Sequence, residues 1–329
     1  MVNSKLLTTH ASRLTPHDLI VMLRNTISRK TFLSQSTTVA TGILLSRLAD
    51  FSVPRLRYHQ VSFKASHNSY DRDEPIHDQL IYFSNNPSRC GCRGLEFDIW
   101  RHSDAQERFF TVSHDNPNGG YPLAYYLGLL LSYHLNDPQH DVILVTIDIK
   151  SSQGSVESFP NELDKYILEY FNKKLLFTPK MLFHNTNLSL CENVIRYGWP
   201  EIQTMRGKFL FCLSGTESWK QYYANSTIQD RLCFSDKDVS DNNNDIPIPS
   251  TGNFVFFNMH IWTDHYNTWK NTLPKYARKN LITRVYEVDA EPLWNKALDA
   301  GASVLATNKI SNDAWAKVSN TPFAQRKVN

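Results

Sequence analysis

The sequence predicts an α/β fold: a single domain built as a closed (β/α)8 barrel. Segments with the apolar pattern of strands alternate along the chain with segments whose apolar residues recur at helical spacing. Strands that alternate with helices pair in parallel, and eight of them in one run favour a closed barrel over an open sheet. The predicted strands cover residues 60–65, 94–99, 109–113, 141–149, 208–213, 254–259, 282–286 and 302–306. The predicted helices cover residues 122–135, 160–171, 188–197, 262–278, 292–300 and 312–318.

Polar, titratable side chains at or near the ends of four successive strand-like runs also favour a barrel. Parallel α/β barrels carry their active sites at the carboxyl ends of the strands. The four runs supply His67 and Asn68, then Glu96 and Asp98, then His114 and Asp115, and finally Asp148 and Lys150.

The composition is that of a globular protein and gives no sign of nucleic-acid binding, a disulfide framework or a zinc site. The chain has 329 residues, a formal net charge of +3 and 41% hydrophobic residues, which fits a globular protein with a full core. No long Lys/Arg block indicates nucleic-acid binding. The five cysteines are scattered, and this spacing favours neither a disulfide framework nor a zinc site.

The first 53 residues form an N-terminal segment ahead of a catalytic domain at residues 54–329. Arg29 and Lys30 precede a short apolar run at residues 37–45, and this pattern resembles a twin-arginine export signal with lysine as the second basic residue. We expect export to the periplasm or the medium. The alternative is an amphipathic helix packed on the domain of a cytoplasmic or peripheral membrane protein. The apolar run is too short to predict a membrane span.

A long polar connection covers residues 216–253. It is rich in Asp and Asn but lacks the spacing and the closing Glu of an EF-hand. Loops of this length in compact domains are functional or mobile. We expect a surface excursion that could act as a lid.

The strand-like stretch at residues 94–99 carries an unusual acidic face. Side chains alternate across a strand, so Glu96 and Asp98 point to one face and Leu95, Phe97 and Ile99 to the other. Two carboxylates on one face repel each other and are costly to bury, unless a cation lies between them. Hard oxygen ligands suit Ca²⁺ or Mg²⁺. The alternative is a surface strand with a solvated acidic face.

Four motifs follow one another along the chain: Ser-His-Asn-Ser-Tyr at 66–70, Gly-Leu-Glu-Phe-Asp at 94–98, Ser-His-Asp at 113–115 and the run ending in Asp148. In this order they resemble the catalytic half of the phosphoinositide-specific phospholipases C, and most closely the calcium-dependent bacterial group. The resemblance covers about residues 58–318 and includes a mid-chain segment at 194–211 and closing strands at 281–308.

The resemblance implies a TIM-type barrel and a metal-assisted reaction. The inositol 2-hydroxyl attacks phosphorus and diacylglycerol leaves, giving a cyclic or a hydrolysed inositol phosphate. Residue by residue, Asn68, Glu96, Asp98 and Asp148 would bind Ca²⁺. Relatives often carry Glu at the last of these positions, and the shorter Asp148 alters where the cation sits or how tightly it binds.

The resemblance also assigns acid–base and substrate roles. His114 would be the general acid for the leaving alkoxide, and His67 would contact the phosphoryl oxygens or act as base. Lys150, Arg284 and Tyr286 would bind phosphate or inositol. For Lys150 a solvated surface charge, and for Arg284 a structural ion pair, are the alternatives.

The substrate would be a phospholipid at a membrane surface, and we expect a monomer. Candidate interfacial aromatics are Tyr121, Tyr125, Tyr126 and Trp262, with core packing as their alternative. Glycerophosphodiester phosphodiesterases share related motifs but typically open with His-Arg-Gly, where this chain has Ser-His-Asn-Ser. A second alternative is a catalytically silent barrel that binds lipid headgroups. Retention of both histidines and all four candidate ligands argues against that.

Overall fold

The computed structural model describes residues 55–81, 91–102, 109–239, 249–260, 266–311 and 313–328. The export signal expected within residues 1–53 lies outside the described residues and stays a prediction, as does the interfacial role of Trp262. No helix among the described residues has the length and apolar character needed to cross a bilayer.

Eight parallel strands in the described part of the chain close into a barrel, as the sequence predicts. Each barrel strand pairs with the next around the ring, and β1 pairs with both β10 and β2 to close it. In chain order the strands are β1 (Val61–Ser66), β2 (Gly94–Arg101), β3 (Phe110–Val112), β4 (Tyr121–Pro122), β5 (Ile143–Ser152), β6 (Phe209–Gly215), β7 (Phe234–Asp238), β8 (Phe256–His260), β9 (Ile282–Tyr286), β10 (Val304–Thr307) and β11 (Phe323–Gln325). The barrel consists of β1, β2 and β5 to β10.

Helices connect most of the barrel strands. They are α1 (Ile76–Leu80), α2 (Leu123–Asn136), α3 (Phe159–Leu168), α4 (Leu190–Tyr197), α5 (Glu217–Asn225), α6 (Tyr266–Arg278) and α7 (Glu291–Asp299). Helix α4 shows how local sequence sets the ends. Ser189 and Glu192 form a reciprocal capping box at its start, and Gly198 ends it with a φ of 71° that favours glycine.

The prediction that residues 109–113 form a barrel strand is wrong. Phe110–Val112 is β3, which runs antiparallel to the end of β2 and forms a hairpin with β4. Hydrophobic periodicity identified the strand correctly but carries no information on its partner or direction. The His-Asp pair that follows this strand is therefore on the hairpin loop and not at the end of a barrel strand.

The prediction of a long surface excursion at residues 216–253 is also wrong for the part that the structure describes. This region contains α5 and the missing barrel strand, β7, which pairs in parallel with β6 and β8. The helix expected at 312–318 is absent from the described residues 313–318, which form turns and bends.

Strand β2 divides its side chains between the barrel interior and the surrounding helices. Phe97 is fully buried, and its ring centroid lies 4.9 Å from that of Tyr126 on α2. Leu95 and Ile99 lie in the same hydrophobic cluster as Phe97. Glu96 and Asp98 therefore face the barrel interior, as the alternation of the sequence predicts.

A candidate metal and catalytic site at the carboxyl ends of the barrel strands

Three carboxylates converge inside the barrel. Glu96, Asp98 and Asp148 offer oxygen atoms that all lie within 4.8 Å of one another, and Glu96 and Asp98 are buried. Asp98 of β2 and Asp148 of β5 are opposite each other in the parallel register. A side chain at Gly215, at the end of β6, would collide with the carboxylate of Asp148, so glycine gives this carboxylate its space.

This cluster is costly without a compensating cation. Burial, followed by the charges of Asp148 and Glu96, raises the pKa of Asp98 to about 7. Burial is also the main reason that the pKa of Asp148 is raised. Asp98 Oδ1 is buried with no hydrogen-bond partner among the described residues. An oxygen-rich cluster with an unused buried acceptor fits a hard divalent cation such as Ca²⁺.

Two basic side chains of the barrel partly neutralise the carboxylates. Arg284 Nη2 of β9 lies 2.7 Å from Glu96 Oε1, and Lys150 Nζ of β5 lies 2.9 Å from Asp98 Oδ2 and 3.7 Å from Asp148 Oδ1. Burial raises the pKa of Glu96, but Arg284 and His67 outweigh it, so the pKa is lowered. Lys150 therefore lies among the carboxylates and is not a solvated surface charge. Arg284 lies there too, and it forms an ion pair with Glu96.

His67 and Asn68 lie at the end of β1, beside Glu96. His67 Nε2 is 3.8 Å from Glu96 Oε2, and the backbone N–H of Asn68 donates to the same oxygen at 3.1 Å. Asn68 has a φ of 46°, in the left-handed region where Asn is tolerated. Burial lowers the pKa of His67 in spite of the nearby Glu96 carboxylate. A neutral imidazole therefore faces the acidic cluster near pH 7.

A ring at the end of β9 lines the site next to His67. Tyr286 stacks on His67 with ring centroids 5.8 Å apart, and the guanidinium of Arg284 lies 5.1 Å from the centroid of the Tyr286 ring. The expected substrate-binding residue Tyr286 is thus next to the expected base and the expected oxyanion ligand.

His114 occupies a different setting. It lies on the exposed loop between β3 and β4, and its Nδ1 is 2.6 Å from Asp115 Oδ1. Among the described residues, no hydrogen bond or ion pair joins its side chain to the acidic cluster. The loop is nevertheless attached there, because the N–H of Ser113 donates to the carbonyl of Asp98 at 3.0 Å.

Comparison with known proteins adds a family match. Residues 121–247 match the family model described as phosphoinositide phospholipase C, Ca²⁺-dependent. The chain resembles the calcium-dependent phosphoinositide phospholipases C. This confirms the resemblance and the phospholipase C-like phosphodiesterase class predicted from the sequence motifs. The match includes Asp148 and Lys150 but begins after the first three motifs. A search of curated protein sequences gives no significant match.

Solved structures with this fold include two named calcium-dependent phosphoinositide phospholipases C. One is the Streptomyces antibioticus enzyme, with 19% identity, 77% of this chain and 94% of that chain covered, and a TM-score of 0.57. Another is the myo-inositol complex of the Pseudomonas sp. enzyme, with 20% identity, 82% and 96% coverage, and a TM-score of 0.60. At this identity the likeness confirms the TIM-type barrel.

Sequence reasoning missed a second group of residues that support the site. Asn308, after β10, places its Oδ1 3.2 Å from His67 Nδ1, and its Nδ2 donates to Asp289 Oδ2 at 2.5 Å. Asn258 of β8 accepts from Arg284 Nη1 at 2.8 Å. The position of Asn308, two residues after the last predicted strand, was the available signal for it.

Asp238 and Lys220 were missed for another reason. Both lie in the region that was expected to be an irregular excursion, where no strand end was predicted on which to place them. Lys220 Nζ lies 2.8 Å from Asp236 Oδ1 and 2.7 Å from Asp238 Oδ2.

Proposed function

We propose that this chain cleaves phosphatidylinositol in a calcium-dependent reaction, releasing diacylglycerol and a cyclic or hydrolysed inositol phosphate. The observation that carries the proposal is the cluster of the buried Glu96 and Asp98 and the partly buried Asp148, beside the imidazole of His67. The family match supports the same reaction class.

Glu96, Asp98 and Asp148 would hold the calcium ion, with Asn68 as a further ligand. When bound, the ion would lower the pKa of the attacking hydroxyl and offset charge on the phosphoryl group. Arg284 and Lys150 are held within the same cluster. The guanidinium of Arg284 and the ammonium of Lys150 would donate charge-assisted hydrogen bonds to the phosphoryl oxygens.

His67 would act on the nucleophile. Because Asn308 donates its amide to Asp289, its carbonyl oxygen is left to accept from His67 Nδ1–H. In the neutral ring this leaves the lone pair of Nε2 free to take the proton of the inositol 2-hydroxyl. Tyr286, stacked on His67, would flank the inositol ring.

His114 would act on the leaving group. Its Nδ1 is engaged with Asp115, which leaves Nε2 to deliver a proton to the departing diacylglycerol oxygen. An exposed position suits this role, since the lipid chains must remain in a membrane while the headgroup enters the barrel. Tyr121 and Tyr125 are exposed and stacked 4.7 Å apart after the same loop, so they can contact the lipid surface. We propose that the enzyme acts there as a monomer.

The test is release of diacylglycerol and inositol phosphate from phosphatidylinositol vesicles by His114→Ala. We expect its turnover to fall about 10²–10⁴-fold, the range for loss of a general acid. His77→Ala is the matched control, because His77 is also exposed and also faces the next residue, Asp78, at 3.6 Å. Equal activity of the two variants would remove His114 from the mechanism.

A further inference from the structure

Asp238 ends strand β7 at the same end of the barrel as the candidate site. Its Cα is paired with that of Asn258 in the neighbouring strand β8. Its side chain is 55% exposed, although one carboxylate oxygen is fixed by the fully buried Lys220. A carboxylate that is both anchored and open to solvent is available to a ligand entering the barrel mouth.

Asp238 is connected to the site by a continuous chain of polar contacts. Asn258 Nδ2 donates to Asp238 Oδ1 at 3.3 Å, and Asn258 Oδ1 accepts from Arg284 Nη1 at 2.8 Å. Arg284 in turn pairs with Glu96. The charge of Asp238 also contributes to raising the pKa values of Asp148 and Tyr286. The contacts through Asn258 and Arg284 place its carboxylate on the β8–β9 side of the barrel, the side that also carries Tyr286.

Lys220 does not cancel the charge of Asp238. The single ammonium group is shared with Asp236 at 2.8 Å and with Glu217 at 3.2 Å. The side chain of Lys237, the residue before Asp238, points to the opposite face of the strand, because successive side chains alternate between the two faces. The mouth therefore presents a fixed negative group at this position, and the lysine serves to orient it.

We propose that Asp238 is a specificity-determining residue, which accepts a hydrogen bond from a hydroxyl of the inositol ring and rejects rings that carry further phosphates. The inference rests on the proposed function, because it places an inositol ring beside Tyr286. A carboxylate is a strong acceptor for a sugar-type hydroxyl and repels a phosphate at the same distance.

The test measures binding of soluble headgroups to the full chain by calorimetry in the presence of Ca²⁺. The two ligands are inositol 1-phosphate and inositol 1,4,5-trisphosphate. They share the 1-phosphate and differ in the two phosphates that the second ligand adds to the ring. Asp238→Asn keeps an acceptor and removes the charge. We expect it to bind the trisphosphate about tenfold more tightly or better, with the monophosphate changed less than about threefold.

Asp238→Ala separates the two roles, because it removes the acceptor as well. We expect it to lose about fivefold in affinity for inositol 1-phosphate, the effect of one hydrogen bond. Asp299→Asn is the control for net charge, since Asp299 is 59% exposed and paired with a lysine, Lys327, elsewhere on the surface. It should leave both affinities unchanged.

An unchanged affinity ratio in Asp238→Asn would overturn the proposal, as would a wild type that binds neither ligand. A uniform loss for both ligands would also overturn it, because that result indicates a purely structural role. Cleavage of phosphatidylinositol by the wild type is measured in parallel. Absence of cleavage together with the expected shift in ratio would count against the proposed reaction and in favour of the inferred role of Asp238.

Discussion

At the residue scale, the site depends on buried groups whose charges are set by their neighbours. Asp98 and Asp148 have raised pKa values, whereas Glu96 has a lowered one because Arg284 lies 2.7 Å away. The alternation of residues 95–99 was enough to predict that Glu96 and Asp98 share a face. The alternation could not predict the ion pair between Glu96 and Arg284, because that contact depends on how β9 lies across the barrel from β2.

Asn308→Ala tests how His67 is oriented. Removing the acceptor at 3.2 Å frees the ring of His67 to rotate or change tautomer. We expect kcat to fall about 10–100-fold, as for other residues that orient a functional histidine, and the pH dependence of kcat to shift. Asn187→Ala, at an exposed asparagine, should leave both unchanged. A loss of stability without a change in the pH profile would contradict the orienting role.

At the element scale, the hairpin of β3 and β4 holds the loop with His114 against the end of β2. Trp100 Nε1 donates to the carbonyl of Ser113 at 2.8 Å, and the N–H of Ser113 donates to the carbonyl of Asp98. The sequence predicted the strand but not this arrangement, because an apolar run reads the same in a hairpin and in a barrel.

Trp100→Phe keeps the aromatic ring and removes the donor to the loop. We expect a stability loss of about 1 kcal/mol for the hydrogen bond and, in addition, a fall in kcat of about tenfold as His114 loses its position. Trp294→Phe is the matched control, since Trp294 Nε1 donates to the carbonyl of Lys317 at 3.0 Å. The control should lose stability alone. Equal effects on kcat would contradict the role of the hairpin.

For β3 the sequence predicted a strand but not its partner, whereas for β7 it did not predict the strand at all. Only its first three residues are buried, and its last two are exposed and charged. Such a pattern is typical of a loop, and the strand is recognised only when β6 and β8 are present on either side. The fold class was still predicted correctly, because the seven other barrel strands have clear apolar patterns.

At the scale of the whole molecule, buried titratable groups make stability depend on pH in opposite directions. Burial, with Arg326 and Arg57 nearby, lowers the pKa of His59 to about 4. The backbone N–H of Trp199 donates to His59 Nδ1 at 3.2 Å, which requires the neutral ring. Burial raises the pKa of Asp236 to about 7 in spite of Lys220.

His59→Asn tests this dependence while retaining an acceptor for Trp199. The unfolded chain takes up a proton near pH 6.5 and the folded chain only near pH 4, so protonation favours unfolding between these values. The free energy of unfolding of the wild type, minus that of the variant, should fall by about 3 kcal/mol as the pH drops from 7 to 4. For Asp236→Asn the sign is opposite, and the same difference should fall as the pH rises from 4 to 7. A difference for His59→Asn that is flat with pH would contradict the burial of a neutral histidine.

The most direct measurement is diacylglycerol release from phosphatidylinositol vesicles as free Ca²⁺ is varied with EGTA, for the wild type and for Asp98→Asn. Asp98 is the most deeply buried carboxylate of the cluster. We predict activity that rises with Ca²⁺ and is lost with excess EGTA in the wild type. The variant should need far more Ca²⁺ or be inactive. Wild-type cleavage that persists in EGTA would contradict the assignment of Glu96, Asp98 and Asp148 as a calcium site.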